Sequence, residues 1–260
     1  MTIATCTSAS SAGRSQTVLI PSFSDRAVHR GEFPPVSPRL DATLSEQLRE
    51  GTQVEHRAVE SQPFVDELLA GALDVDAYAG LAAQQLEIYR ALEGAGVQLQ
   101  EDPRGANLLF TELQRVPSIE RDLAHLYGHA WRDEIRILPA TRTYAARLRD
   151  VVDRLPEYAA HAYTRYLGDL SGGQIIKRMM RRHYGMGTDG LSFYDFPEIP
   201  KAKPFKDLYR ERLDGLGLDA VETARAVAEA QEAFRLNRAL FAELGAIHIN
   251  RVRAAKEAVA

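Results

Sequence analysis

Tyr166-Leu167-Gly168-Asp169-Leu170-Ser171-Gly172-Gly173-Gln174 breaks a local rule of helix building. It lies inside a stretch that otherwise reads as one helix from Pro156 to about Tyr184, with a proline where the first turn tolerates one. The three glycines are costly there, because each interior glycine destabilises a helix by about 1 kcal/mol relative to alanine. A helix that stopped at Gly168 and restarted after Gly173 would avoid that cost, and glycines that admit a neighbouring helix would offset it. Leu170, Ile175, Ile176 and Met179 nevertheless keep apolar residues at helical intervals through the gap, which argues for continuation. In a continuous helix Gly168 and Gly172 share one face, where a flat or bulky group can touch bare main chain.

Helical periodicity extends on both sides of this stretch. Leu44, Leu48, Thr52, His56 and Glu60 form one row that should face the core, preceded by Asp41 and Thr43 as candidate caps and stopped by Pro63. Asp76 can cap a second long helix with Tyr78, Leu81, Ala82, Gln85, Tyr89 and Leu92 along one side, ended by Gly94 and Gly96. Shorter helices are expected over 105–115, 118–127 and 140–155. After a Gly/Pro-rich connection, 185–204, come a helix through Phe205, Leu208 and Tyr209 and a last long one over 219–244. No βαβ spacing and no repeat occurs, so the expectation is all-α: one domain of about seven to nine helices.

Composition narrows the function. In 260 residues, 32 basic and 36 acidic side chains leave a net charge of −4 and 45% of the chain is apolar, which excludes collagen, wholesale disorder and a disulfide scaffold. No nucleic acid partner is expected, because the basic excess such binding needs is missing. No run of eighteen apolar residues occurs, so no membrane span is expected and the protein should be soluble. The single cysteine, Cys6, fits a reducing, cytoplasmic compartment. Residues 1–40, Ser/Thr-rich at the start and holding Pro21, Pro34, Pro35 and Pro38, read as a flexible tail. The folded domain is expected over 41–250, with 251–260 as a C-terminal tail.

The thirteen residues from Ala162 to Gln174, AYTRYLGDLSGGQ, resemble the signature of the heme oxygenases. Glu55-His56-Arg57-Ala58-Val59-Glu60, Lys203-Pro204-Phe205-Lys206-Asp207-Leu208-Tyr209-Arg210 and Phe234-Arg235-Leu236-Asn237-Arg238-Ala239-Leu240-Phe241 accompany it in the family's order and spacing. The resemblance spans approximately 42–244. It implies heme b, as cofactor and substrate, sandwiched between a proximal helix and a glycine-rich distal one. The implied reaction opens heme to biliverdin, with release of iron and carbon monoxide, using dioxygen and external electrons.

By similarity His56 is the proximal iron ligand. Glu60, one turn later, can orient its ring through the second nitrogen; otherwise the two form an ordinary local ion pair. Asp169 is implied to hold ordered water that hydrogen-bonds to bound oxygen and delivers a proton. Gly168 and Gly172 are implied to bring main chain against that oxygen and restrict its direction. The plainer reading of Asp169 is a solvent-facing carboxylate paired to Arg165. Similarity places Arg49, Tyr163, Lys206 and Arg210 around the heme propionates, and Tyr89, Phe234, Asn237 and Phe241 along the pocket, although aromatic residues at helical spacing are often plain core. Gln53 departs from the pattern, since many relatives carry a basic residue there, which weakens one propionate or partner contact.

The basic run from Lys177 to His183 is the kind that is usually a solvated face. It also suits docking of an acidic external electron donor, ferredoxin-like or a flavin reductase, because the sequence carries no flavin or nicotinamide fingerprint of its own. A ferritin-like di-iron protein is excluded, as no Glu-x-x-His occurs. A non-catalytic heme carrier or sensor on the same fold is the remaining rival. Asp169 discriminates, because a carrier needs no proton-delivering carboxylate beside bare backbone.

Overall fold

Capping residues and prolines set where the helices begin. In this computed structural model, which describes residues 42–258, Thr43 and Glu46 form a reciprocal capping box that opens α1 (Leu44–Gly51). Thr52 interrupts at φ −112° and ψ 5°, and α2 (Gln53–Glu60) follows. Pro63 starts α3 (Pro63–Leu69). The Asp74 side chain caps the long α4 (Val75–Gln98), and Asp102 caps the one-turn α5 (Pro103–Ala106). Next come α6 (Val116–Tyr127), the one-turn α7 (Trp131–Glu134) and α8 (Pro139–Asp150). Then α9 (Leu155–Gly168) runs through a π-helical turn, Asp169–Gly173, into α10 (Gln174–Tyr184). Finally α11 (Ala202–Asp214) precedes α12 (Ala220–Glu257), which a second capping box between Asp219 and Glu222 opens. No strand occurs among the described residues, so the class is all-α.

Packing centres on α4, α9 and α12. α9 lies along α12, and both bury alanines, Ala159, Ala160 and Ala162 on one and Ala226, Ala230 and Ala233 on the other. Such small side chains let helix backbones approach closely. α4 is covered by α6 and α8 and buries Tyr78, Leu86, Ile88, Tyr89 and Leu92. α2 and α3 rest on α12, and a cleft lies between them and α9–α10, closed at one end where α3 meets α10. Tyr184 of α10 donates to the Leu68 carbonyl of α3 (3.0 Å), while Ser45 of α1 binds Asp214 of α11 through both its N–H and its hydroxyl. No helix among the described residues is long and apolar enough to cross a membrane.

Four elements differ from the sequence reading, the second long helix among them, since Asp74 caps it in place of Asp76 and it runs past Gly94 and Gly96 to Gln98. The first helix divides at Thr52, whose hydroxyl donates to the Leu48 carbonyl at 2.7 Å. Residues 105–115 do not form one helix: after α5 the chain makes only a 3₁₀ turn, Thr111–Leu113. Leu108 and Leu113 are both buried, and a continuous helix would point residues five apart about 140° away from each other. Burying each leucine contributes about 1.5–3 kcal/mol, more than the propensity of the segment can resist. The last helix continues past Leu244 to Glu257, burying Gly245, His248 and Ile249. The expected tail over residues 1–40 lies outside the described residues.

Candidate active site

The π turn opens onto a cleft of about 1430 Å³. Gly168 has ordinary helical angles, φ −61° and ψ −48°, so no backbone strain calls for glycine there. A Cβ placed on Gly168 or on Gly172 would meet no atom within 4 Å. The idea that these two glycines admit a neighbouring helix is therefore overturned, and continuation through the gap holds, with a π turn in it. Gly173 is different, since a Cβ there would lie 3.0 Å from Cδ1 of Tyr194. Each glycine costs the helix about 1 kcal/mol, yet no contact among the described residues requires Gly168 or Gly172. Both line the cleft, where they leave bare main chain.

His56 lines the same cleft from α2. Leu44, Leu48 and Thr52 are buried as the row predicts, but the break at Thr52 ends the row and His56 is half-exposed. The expectation that it faces the core is corrected accordingly. Its Nδ1 lies 3.2 Å from Oε2 of Glu60, the pairing that fixes a ring and directs Nε2 to a ligand. Phe234 of α12 meets the imidazole edge-on, centroids 5.5 Å apart.

Asp169 is buried, not solvent-facing. Tyr89 does not line the cleft as expected; it is fully enclosed in α4, and its hydroxyl donates to Oδ2 of Asp169. The Arg165 guanidinium lies over the Tyr89 ring, 4.9 Å from its centroid, and donates to Oε1 of Gln85 and, at 3.0 Å, to Oδ1 of Asn237. Burial pushes the Asp169 carboxyl up to about 6, against the pull of the Arg165 guanidinium and the Tyr89 hydroxyl. A carboxyl so tuned exchanges protons near neutral pH. The role of Gln85 was missed from sequence: it lies on the apolar side of α4, and nothing local signals a partner eighty residues away.

A corner carrying the cationic side chains Arg49 and Arg210, with Asp207, Glu211 and Asp214 beside them, completes the cleft, and Lys206 lies at its edge. The Tyr163 hydroxyl, whose pKa burial raises, lies near the Arg210 and Arg49 guanidinium groups. Arg210 donates to Oδ1 of Asp207 at 3.0 Å, and Lys206 donates to Oγ of Ser171, on the π turn, at 2.9 Å. Elsewhere the lining is largely apolar and includes Phe234 and Phe241, the latter stacked on Phe64 at 6.0 Å. The cleft thus suits a large planar amphiphile with anionic edges. No group of three metal-ligating side chains occurs among the described residues, so a metal held by His56 would need most of its ligands from the bound molecule.

An all-α protein with a carboxylate-oriented histidine, bare helix backbone and a corner carrying cationic side chains around one cleft falls in the class of heme-binding proteins. A family model described as heme oxygenase matches residues 42–243, and the chain belongs to that family. It is 38% identical over 206 residues to heme oxygenase 1 of Synechocystis sp. PCC 6803, covering 79% of this chain and 86% of the relative. Human heme oxygenase 1 is likewise 38% identical, over 214 residues, covering 81% and 74%. The crystal structure of Synechocystis heme oxygenase-1 in complex with heme superposes with a TM-score of 0.78 at 36% identity, covering 84% of this chain and 98% of that one. Synechocystis heme oxygenase-2 in complex with heme and NO gives 0.77 at 33% identity, covering 82% and 88%. The chain is an enzyme of heme degradation.

Proposed function

We propose that the protein opens heme to biliverdin, releasing iron and carbon monoxide, with dioxygen as co-substrate and electrons from an external donor. The observation that carries this reading is the pair Gly168 and Gly172, which no contact among the described residues requires and which line one cleft with His56. When bound, heme supplies an iron at which dioxygen is reduced and a ring carbon that is attacked. His56 would hold the iron through Nε2, with Glu60 keeping the proton on Nδ1. The main chain at Gly168 and Gly172 would lie against the bound heme and narrow the space beside it. Asp169, with Oδ2 engaged by Tyr89, would present Oδ1 to ordered water and move a proton through it. Arg49, Lys206, Arg210 and Tyr163 would hold the propionates. Lys206 and Arg210 would then exchange Ser171 and Asp207 for them. Phe234, Asn237 and Phe241 would form the wall contributed by α12.

The donor is proposed to be an acidic ferredoxin-like protein or a flavin reductase docking on α10, where Arg178, Arg181, Arg182 and His183 are exposed. A reducing compartment, the cytoplasm, is proposed on the support of that electron requirement and of the single cysteine. The test is to add heme, then ascorbate under air. Replacement of the Soret band by a bilin spectrum is expected, and a persistent Soret band contradicts the reading.

A further inference from the structure

The π turn that carries Asp169 is held at several points: Tyr89 donates to Asp169, Lys206 donates to Ser171, and Gln174 ties its C-terminal end to a neighbouring segment. Gln174, the first residue of α10, donates from Nε2 to the Tyr194 carbonyl at 2.9 Å. The same nitrogen lies 3.5 Å from the Asp169 carbonyl, too far for a full bond. Gly173 leaves no room for a side chain beside the Tyr194 ring, since a Cβ there would lie 3.0 Å from its Cδ1. A π turn is a local widening of the helix, which persists where surrounding contacts hold it.

The segment that Gln174 grips is itself fixed from α6. Oδ1 of Asp122 accepts from the Ser192 N–H at 2.8 Å and from its hydroxyl at 2.6 Å, while Oδ2 accepts from the Phe193 N–H at 2.7 Å. Arg115, just before α6, donates through Nη1 to the Phe193 carbonyl at 3.2 Å and the Asp195 carbonyl at 2.6 Å. Of the three carbonyls from 193 to 195, two therefore go to Arg115 and the middle one goes to Gln174. Phe193 and Tyr194 also line the cleft. Force can pass from α6 through this bracket to Gln174, and so to the turn bearing Asp169.

We propose that Gln174 is a positioning residue: by holding the Tyr194 carbonyl it fixes the π turn and sets the place of Asp169 over the cleft. The importance of that place for turnover rests on the proton-transfer role given to Asp169 above, whereas the fixing of the turn does not. Asp169 is faced by Tyr89 from α4, Arg165 from α9, Arg115 beside α6, Tyr144 from α8 and Tyr194 from the bracket. Loosening the bracket admits water among these groups and lowers the burial that raises the Asp169 carboxyl.

The experiment compares the full chain with Gln174→Met, which keeps length but loses the donor, and with Gln174→Glu, which puts an acceptor against the carbonyl. Amide hydrogen exchange of the ligand-free proteins should accelerate about fivefold across residues 168–174, the worth of one ordinary hydrogen bond, with α4 and α6 unchanged. In heme-loaded protein, kcat should fall about tenfold or more with KM little altered, and the acid limb of its pH profile should move to lower pH. Unchanged exchange at 168–174, or equal acceleration throughout the molecule, overturns the inference. Local acceleration with unchanged kcat and pH profile upholds the fixing of the turn and refutes instead the proton-transfer role of Asp169.

Discussion

Replacing Gly168 with alanine should make the ligand-free protein more stable and the enzyme worse. Gly168 already has helical angles, and an added Cβ meets nothing within 4 Å, so the substitution brings the propensity gain of about 1 kcal/mol without a clash. For a domain of this size that corresponds to a rise of about 2–4 °C in Tm. The same methyl projects into the cleft where the proposed heme lies. Overfilling a packed contact costs about 1–3 kcal/mol, or about 5- to 150-fold in affinity. Thermal unfolding of the ligand-free protein, heme titration by Soret absorbance and ascorbate-supported turnover measure the three quantities. A lower ligand-free Tm, or heme binding and turnover equal to wild type, would refute the reasoning that this glycine serves the ligand and not the fold.

His56→Ala should abolish normal turnover and change the heme spectrum, and free imidazole should restore part of both by entering the vacated space; an unchanged spectrum and rate would remove His56 as the ligand. Lys206→Ala with Arg210→Ala should weaken heme binding or alter which ring carbon is opened, read by product chromatography, since a charge-assisted contact contributes about 1.5–3 kcal/mol. Asp207→Asn, which releases Arg210 from its exposed partner, should tighten heme binding by no more than about fivefold, the worth of a surface ion pair. Because the folded-state pKa of Asp169 is raised from 3.8 to about 6, the folded protein binds more protons than the unfolded one in that window. Asp169 therefore makes stability fall as pH rises from about 4 to 6, and urea denaturation of Asp169→Asn should lack that slope.

Much of this arrangement was legible in the sequence because it depends on local pattern. Leu170, Ile175, Ile176 and Met179 carry the helix through its glycines, and His56 and Glu60 stand one turn apart on any helix. The π turn was not recognised in the sequence, since such a widening persists only where surrounding contacts hold it. The exposure of His56 was misjudged because nothing in the row from Leu44 onward announces the break at Thr52. Tyr89 read as a pocket wall because periodicity gives the face of a helix, not which polar group its hydroxyl will find. The bracket of Arg115, Asp122 and Gln174 joins residues up to eighty positions apart, and such pairings are set by tertiary packing alone. Residues 105–115 failed as a helix for the same reason, with Leu108 and Leu113 drawn into one core.

The central claim is that Asp169 turns a heme-binding cleft into a heme-opening one, and Asp169→Ala tests it most directly. The variant and wild type are loaded with heme, supplied with reductant and air, and followed for bilin formation and for oxidation of an added phenol. Heme affinity should match wild type, because neither His56 nor the corner carrying the cationic side chains is touched. Biliverdin formation should stop and phenol oxidation should appear, as the oxygen–oxygen bond breaks without attack on the ring. Biliverdin formation at the wild-type rate would contradict the account and leave the buried carboxylate without its proposed role.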